Sequence, residues 1–181
     1  MAWIPLLGLS DYILAGTARI AAGFCAKIRR ARTRGDEMIT IEQYFQAKPH
    51  APEHEEIAKD LLDRVNDLLA HALEDGVFAG PTCPNTGTQI SGSKGGSGDG
   101  GFRLETATTG SAKSSHKEAR AVDVYDPAGE LDTLLDHSEI GGGQNPVLEH
   151  YGLYREAPNA TVGWCHLTTR PPGSGRRTFQ P

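Results

Sequence analysis

The sequence predicts an α+β fold, a small mainly antiparallel sheet packed against helices. Three observations carry that expectation. One long stretch after Pro52 repeats its apolar residues at helical spacing, short stretches around Asp123 and around Cys165 alternate as strands do, and segments rich in glycine and proline separate them. With 181 residues, 38% hydrophobic and 23% charged, the chain has material for one core, so a single domain is the default. A domain of this size buries about 70% of the surface its unfolded form exposes and folds without disulfides as its main support. Cys25, Cys83 and Cys165 show no CxxC spacing, which argues against both a disulfide scaffold and a four-cysteine zinc knuckle.

In chain order, Met1 to Phe24 is largely apolar but is interrupted by Asp11 and Arg19. A charge at mid-bilayer costs about 2.5 to 3.5 kcal/mol, so no stable membrane span is expected. The basic cluster from Lys27 to Arg34 follows the apolar stretch, whereas a secretory signal carries its positive charges first. Residues 1–37 therefore read as an arm or an upstream extension outside the fold. The net charge of −5 and its distribution give no reason to expect nucleic-acid binding, since the basic excess is confined to this first region.

The domain is expected over residues 38–181. Ile39, Ile41, Tyr44 and Phe45 form a short apolar start, and Pro49 and Pro52 punctuate the next segment. Ile57, Leu61, Leu62, Val65, Leu68, Leu69, Ala72 and Leu73 then make the stripe of an amphipathic helix from about Pro52 to Asp75. Glu53, Glu55 and Glu56 lie in its first turn, and Gly76 stops it. On that helix His54 and His71 read as solvated residues. From Gly80 to Gly101 eight glycines leave little to bury, and the expectation is a mobile loop with at most a short strand around Gln89 and Ile90. Its Gly-Ser-Lys does not complete a phosphate-binding loop.

Ala121 to Tyr125 alternates as a strand, with Val122 and Val124 on one face and Asp123 on the other, close to the loop that carries His116. Leu131, Leu134 and Leu135, then Val147, Leu148 and Tyr151, suggest short helices. Gly152 to Arg155 and Thr161 to Thr169 read as further strands. In the last of these Trp164 and His166 share a face while Cys165 turns away as a buried thiol. Two histidines and one carboxylate form the open three-ligand set of a catalytic zinc, with the fourth position left for water.

The order of these residues resembles the zinc D-Ala-D-Ala peptidase family, which comprises D,D-carboxypeptidases, D,D-dipeptidases and phage endolysin L-alanyl-D-glutamate peptidases of hedgehog-type fold. The family's pattern runs Ser-Gly-aromatic-Arg, Ser-x-His-x6-Asp and Trp-x-His. It is matched here by Ser91-Gly92, a glycine-rich insertion, Phe102-Arg103, Ser114-Ser115-His116, Asp123 and Trp164-Cys165-His166. The tail from Leu167 to Pro181 resembles the end of phage-encoded members, and the likeness spans about residues 39–181. It implies one zinc per chain on His116, Asp123 and His166, with Arg103 on the substrate carbonyl or its oxyanion.

The same resemblance implies hydrolysis of peptidoglycan stem peptides. The protein would be made in the cytoplasm of an infected or lysogenic bacterium and would act at the wall after lysis or from the virion. One departure stands out. The family's general base, a glutamate three residues before the last histidine, is replaced by Gly163. Glu156 is the candidate substitute, because a hairpin between its strand and the Thr161 to Thr169 strand would bring its carboxylate beside the metal. The alternative is a non-catalytic, zinc-stabilised wall-binding or virion module derived from the same family.

Overall fold

The computed structural model describes residues 38–93 and 99–181, so the expected arm and part of the glycine-rich stretch lie outside the described residues. Among the described residues the fold is α+β, with four helices and a small open four-stranded sheet. Helix α1 spans Ile41–Phe45 and starts with a capping box. Thr40 Oγ1 accepts from Gln43 N at 3.3 Å, and Gln43 Oε1 accepts from Thr40 N at 3.0 Å.

Helix α2 spans Pro52–Glu74, with Pro52 in its first turn, where a missing N–H costs no intrahelical bond. Six of the eight predicted stripe residues, Leu61, Leu62, Val65, Leu68, Leu69 and Ala72, are in the core together with Ala58, each large side chain contributing about 1.5–3 kcal/mol by burial, whereas Ile57 is half-buried and Leu73 exposed. Asn66 also lies on that face, and its amide exchanges two hydrogen bonds of 2.9 Å with the backbone of Ile39. The segment leading into α1 is thereby tied to α2. His54 and His71 are not solvated as expected. His54 packs against the Phe102 ring, and His71 Nδ1 hydrogen-bonds the Tyr151 hydroxyl, because the helix is covered on that side by later parts of the chain.

Strand β1 is Ala121–Tyr125, helix α3 Glu130–His137, helix α4 Pro146–His150, β2 Tyr154–Glu156, β3 Trp164–Thr168 and β4 Thr178–Phe179. The sheet order is β1-β3-β2-β4. The first two pairings are antiparallel as expected, and β4 runs parallel to β2, so the sheet is mixed. The chain reverses again after β3, in the Pro171 to Arg177 connection, before its short return beside β2. Asp126, just after β1, accepts from the backbone N–H groups of Glu130, Leu131 and Asp132 at 2.8, 3.0 and 3.2 Å, supplying the N-terminal cap that Gly129 cannot.

Alternation sorts the sheet into two faces. Val122, Val124, Cys165, Leu167 and Arg155 are buried on one, and Arg155 is completely enclosed. Its guanidinium donates to the Asp132 carboxylate and carbonyl at 3.1 Å each, to Asp136, and to Thr178 Oγ1 at 3.2 Å, joining β2 to α3 and β4. Asp123, His166 and Glu156 lie on the other face.

The described part of the glycine-rich stretch is fastened rather than loose. Tyr125 N donates to Gln89 O at 2.7 Å, Ser91 N to Asp123 O at 2.8 Å, and Asp123 N to Gly100 O at 2.8 Å. Ile90, fully buried, forms an isolated bridge with Val124. The stretch thus covers the edge of β1 that β3 does not. Glycine is needed for this approach, since a Cβ on Gly100 would lie 2.4 Å from Ser91 O, and one on Gly101 2.4 Å from Tyr44 O. Among the described residues no helix is long and apolar enough to cross a membrane.

Candidate metal centre

The β1–β3 register sets Asp123 directly opposite His166. In the β2–β3 register Tyr154 faces Thr168 and Arg155 faces Leu167, so the next step places Glu156 across from His166. A carboxylate, an imidazole and a second carboxylate therefore stand in a row on one face of the sheet. His116 joins them from the loop before β1. Its Nδ1 lies 2.9 Å from Gly101 O, and its own carbonyl accepts from Arg103 N at 3.2 Å. The glycine strap that covers β1 thus also holds the histidine.

His116, Asp123 and His166 are buried, and one ligand atom from each can serve a metal ion. His116 Nε2 lies 3.3 Å from His166 Nδ1 and 3.3 Å from Asp123 Oδ1, and His166 Nδ1 lies 2.7 Å from Asp123 Oδ1. Ligands at the usual 2.0–2.1 Å from a tetrahedral ion are about 3.3 Å apart, so two edges of the triangle already have that length. The donor chemistry fits as well, because two imidazole nitrogens and a carboxylate oxygen suit a borderline cation such as zinc. A hydrogen bond from His116 Nδ1–H to Gly101 O leaves the Nε2 lone pair for the ion, the outer-shell arrangement common to ligating histidines.

Electrostatics within the group are strongly coupled. Burial alone would raise the Asp123 carboxyl, but the charge and hydrogen bonding of His116, with the hydrogen bond from His166, hold it well below the carboxylate range. Burial would lower His166, and the hydrogen bond and charge of Asp123 outweigh that and raise it. Arg103 adds a further tie. Its Nη2 donates to Asp123 Oδ2 at 3.1 Å and its Nε to Asp99 O, so the guanidinium steadies the oxygen that faces away from the histidines.

A cleft of about 410 Å³ opens beside the group, and Arg103, Ser114, Glu156, Thr161 and Trp164 contribute to its wall. The nearest contact of Glu156 with the triad is Oε1 to His166 Nε2 at 3.9 Å, longer than a hydrogen bond. Its neighbour Arg155 points through the sheet to Asp132 and Asp136, so the two do not pair. Glu149 is exposed on α4, Cys165 is a buried thiol pushed well above its ordinary pKa by burial, and His137 and His150 are exposed.

All five residues singled out in the sequence line one site. Sequence reasoning missed the Gly101 carbonyl, Asp126 and Thr161. Asp126 carried a signal, an aspartate between a strand and Pro127-Ala128-Gly129, whereas the Gly101 contact depends on a backbone approach between distant segments. The chain matches no family model, no curated protein and no solved structure.

Proposed function

We propose that this protein is a zinc-dependent peptidase acting on peptidoglycan stem peptides. The observation that carries the reading is the buried His116–Asp123–His166 triangle at the floor of a cleft that also contains a carboxylate and a guanidinium. The substrate class comes from the motif resemblance, and with it the setting of a phage-encoded enzyme that meets the wall at lysis or from the virion. Zinc held by His116, Asp123 and His166 would supply a nucleophilic water with a pKa of about 7 and a Lewis acid for the scissile carbonyl.

The chain's own groups divide the remaining work. Glu156 takes a proton from the attacking water and returns it to the departing amine, a role that Gly163 has no side chain to fill. Arg103 uses its Nε and one Nη2 donor internally. Its remaining N–H donors serve the substrate carbonyl as negative charge develops there. Burial of the triad excludes bulk solvent and strengthens those interactions.

Hydrolysis of purified peptidoglycan peptides, with zinc and with chelator, tests the reading. Glu156→Gln keeps the shape and removes the basicity, and loss of a general base costs on the order of a hundredfold or more in rate. Unchanged cleavage by Glu156→Gln with zinc retained would remove the base assignment. Gly163 favours a second reading, a non-catalytic zinc-stabilised wall-binding or virion module, which predicts stoichiometric zinc and no cleavage by wild type.

A further inference from the structure

The wall of the metal cleft is divided by charge. Glu156 comes from the hairpin on one side, whereas the two cations that line the cleft, Arg103 and Lys113, come from the segments before β1. Arg103 Nε donates to Asp99 O and Nη2 to Asp123, while Nη1 has no hydrogen-bond partner among the described residues. The turn at Gly110 lies against that free nitrogen. A Cβ on Gly110 would stand 2.7 Å from Nη1 and 3.8 Å from Ser114 Oγ, so glycine, which also suits the φ of +78°, leaves the space beside Nη1 clear. Lys113 extends from the same loop. Its backbone is pinned: the N–H donates to Ser111 Oγ at 3.2 Å, and the carbonyl accepts from Arg170 Nη1 at 3.0 Å. Its side chain is exposed and forms no ion pair among the described residues, the neighbouring acid Glu118 being paired with Arg170 and Arg120 instead.

We propose that the Lys113 ammonium binds a carboxylate of the peptide, the α-carboxylate of the residue on the leaving side of the scissile bond. The inference rests on the peptidase reading above and names the substrate feature that the cleft selects. That carboxylate is separated from the scissile carbonyl only by the amide nitrogen and one Cα, and Arg103 Nη1, the donor for the carbonyl, borders the loop that carries Lys113. Two stem-peptide bonds present the group. In D-Ala-D-Ala the last residue ends in a free α-carboxylate, and in L-Ala-D-Glu the glutamate continues the stem through its γ-carboxyl and keeps its α-carboxylate free. A lysine, a compact charge on a flexible stem, can serve either. Glu156 on the hairpin side repels a carboxylate bound in the reverse direction, so the same charges set which way the peptide runs.

The test uses two pairs of N-acetylated peptides. One ends in D-Ala-D-Ala as the free acid or the C-terminal amide. The other contains L-Ala-D-Glu joined onward through the γ-carboxyl, with the α-carboxylate free or amidated. Calorimetry on zinc-loaded Glu156→Gln protein gives Kd with Lys113 intact or replaced by Ala, Arg or Glu. KM and kcat are measured for the same replacements with Glu156 intact, and zinc content and the unfolding midpoint are recorded for every variant. In at least one pair the free acid should bind about tenfold more tightly than the amide, with a preference that shrinks as salt is raised. Lys113→Ala should erase the preference by raising Kd and KM for the acid alone, Lys113→Arg should keep it, and Lys113→Glu should reverse it. The pair that shows the preference identifies which carboxylate is read.

Equal affinity for acid and amide in both pairs would overturn the inference while leaving the peptidase reading intact. So would an acid preference that survives Lys113→Ala, or a loss of zinc or a lowered midpoint in that variant, since the side chain would then serve the fold. If the zinc-loaded protein neither binds nor cleaves any of these peptides, the peptidase reading itself falls, and the carboxylate contact falls with it.

Discussion

The hydrogen bond between His116 Nδ1 and the Gly101 carbonyl decides which nitrogen of that ring faces a cation, and Arg103 does the same for the two oxygens of Asp123. Neither partner is a ligand, yet each orients one. Outer-shell groups of this kind change metal affinity by about 10–100-fold when removed. We therefore expect Arg103→Ala to weaken zinc binding by that factor in a competition titration with a coloured chelator. A role confined to the substrate oxyanion would instead lower kcat and leave zinc affinity as it is. Removing a ligand is more severe, and His116→Ala and His166→Ala should each be purified with most of the zinc lost by elemental analysis. Full stoichiometric zinc in both would dissolve the site. The three candidate ligands are picked out in the sequence by an order that resembles the peptidase motifs, since the alternating strands alone fix only the faces on which Asp123 and His166 lie. The Arg103–Asp123 contact is not, because it joins residues 20 positions apart across a loop with no periodic pattern.

The hairpin from β2 through β3 carries two residues of the candidate site, Glu156 and His166. Its register aligns Glu156 with His166, and its turn carries Thr161 and ends at Gly163, whose φ is +93°. That backbone conformation disfavours any side chain at position 163. A side chain at Gly163 would meet nothing within 4 Å, so space is not the obstacle, but an L residue there is strained by about 1–3 kcal/mol. Gly163→Glu should lower stability by that amount in denaturant unfolding without restoring the rate lost in Glu156→Gln. A Gly163→Glu/Glu156→Gln protein that regains full activity would show that a carboxylate in this turn can serve as the base.

Helix α2 is readable almost to the residue, since eight apolar positions at helical spacing after a proline leave few alternatives. The strands are placed within one to three residues. The parallel β4 is not legible, because two residues carry no period. The fastening of the Gly80 to Gly101 stretch is also hidden, because its hydrogen bonds run through the backbone and leave no trace in side-chain composition.

At the scale of the whole molecule, the segments that carry Arg103, His116, Asp123 and His166 converge on one buried group that could hold an ion, so metal and fold should be linked. A ligand present at 100 times its Kd stabilises the folded state by about 2.7 kcal/mol, and chelation should lower the unfolding midpoint by several degrees. A chain beginning at Met38 should keep the zinc content and melting behaviour of the full chain, because the motifs and periodic elements all lie after that residue. Insolubility or zinc loss on truncation would show that residues 1–37 belong to the fold. The most direct test of the account is mass-spectrometric detection of peptide-bond cleavage in purified peptidoglycan by the zinc-loaded protein. A zinc peptidase with Glu156 as its base gives cleavage that chelator abolishes, added zinc restores and Glu156→Gln suppresses by about a hundredfold. Intact peptidoglycan after incubation with stoichiometrically zinc-loaded wild type would contradict it.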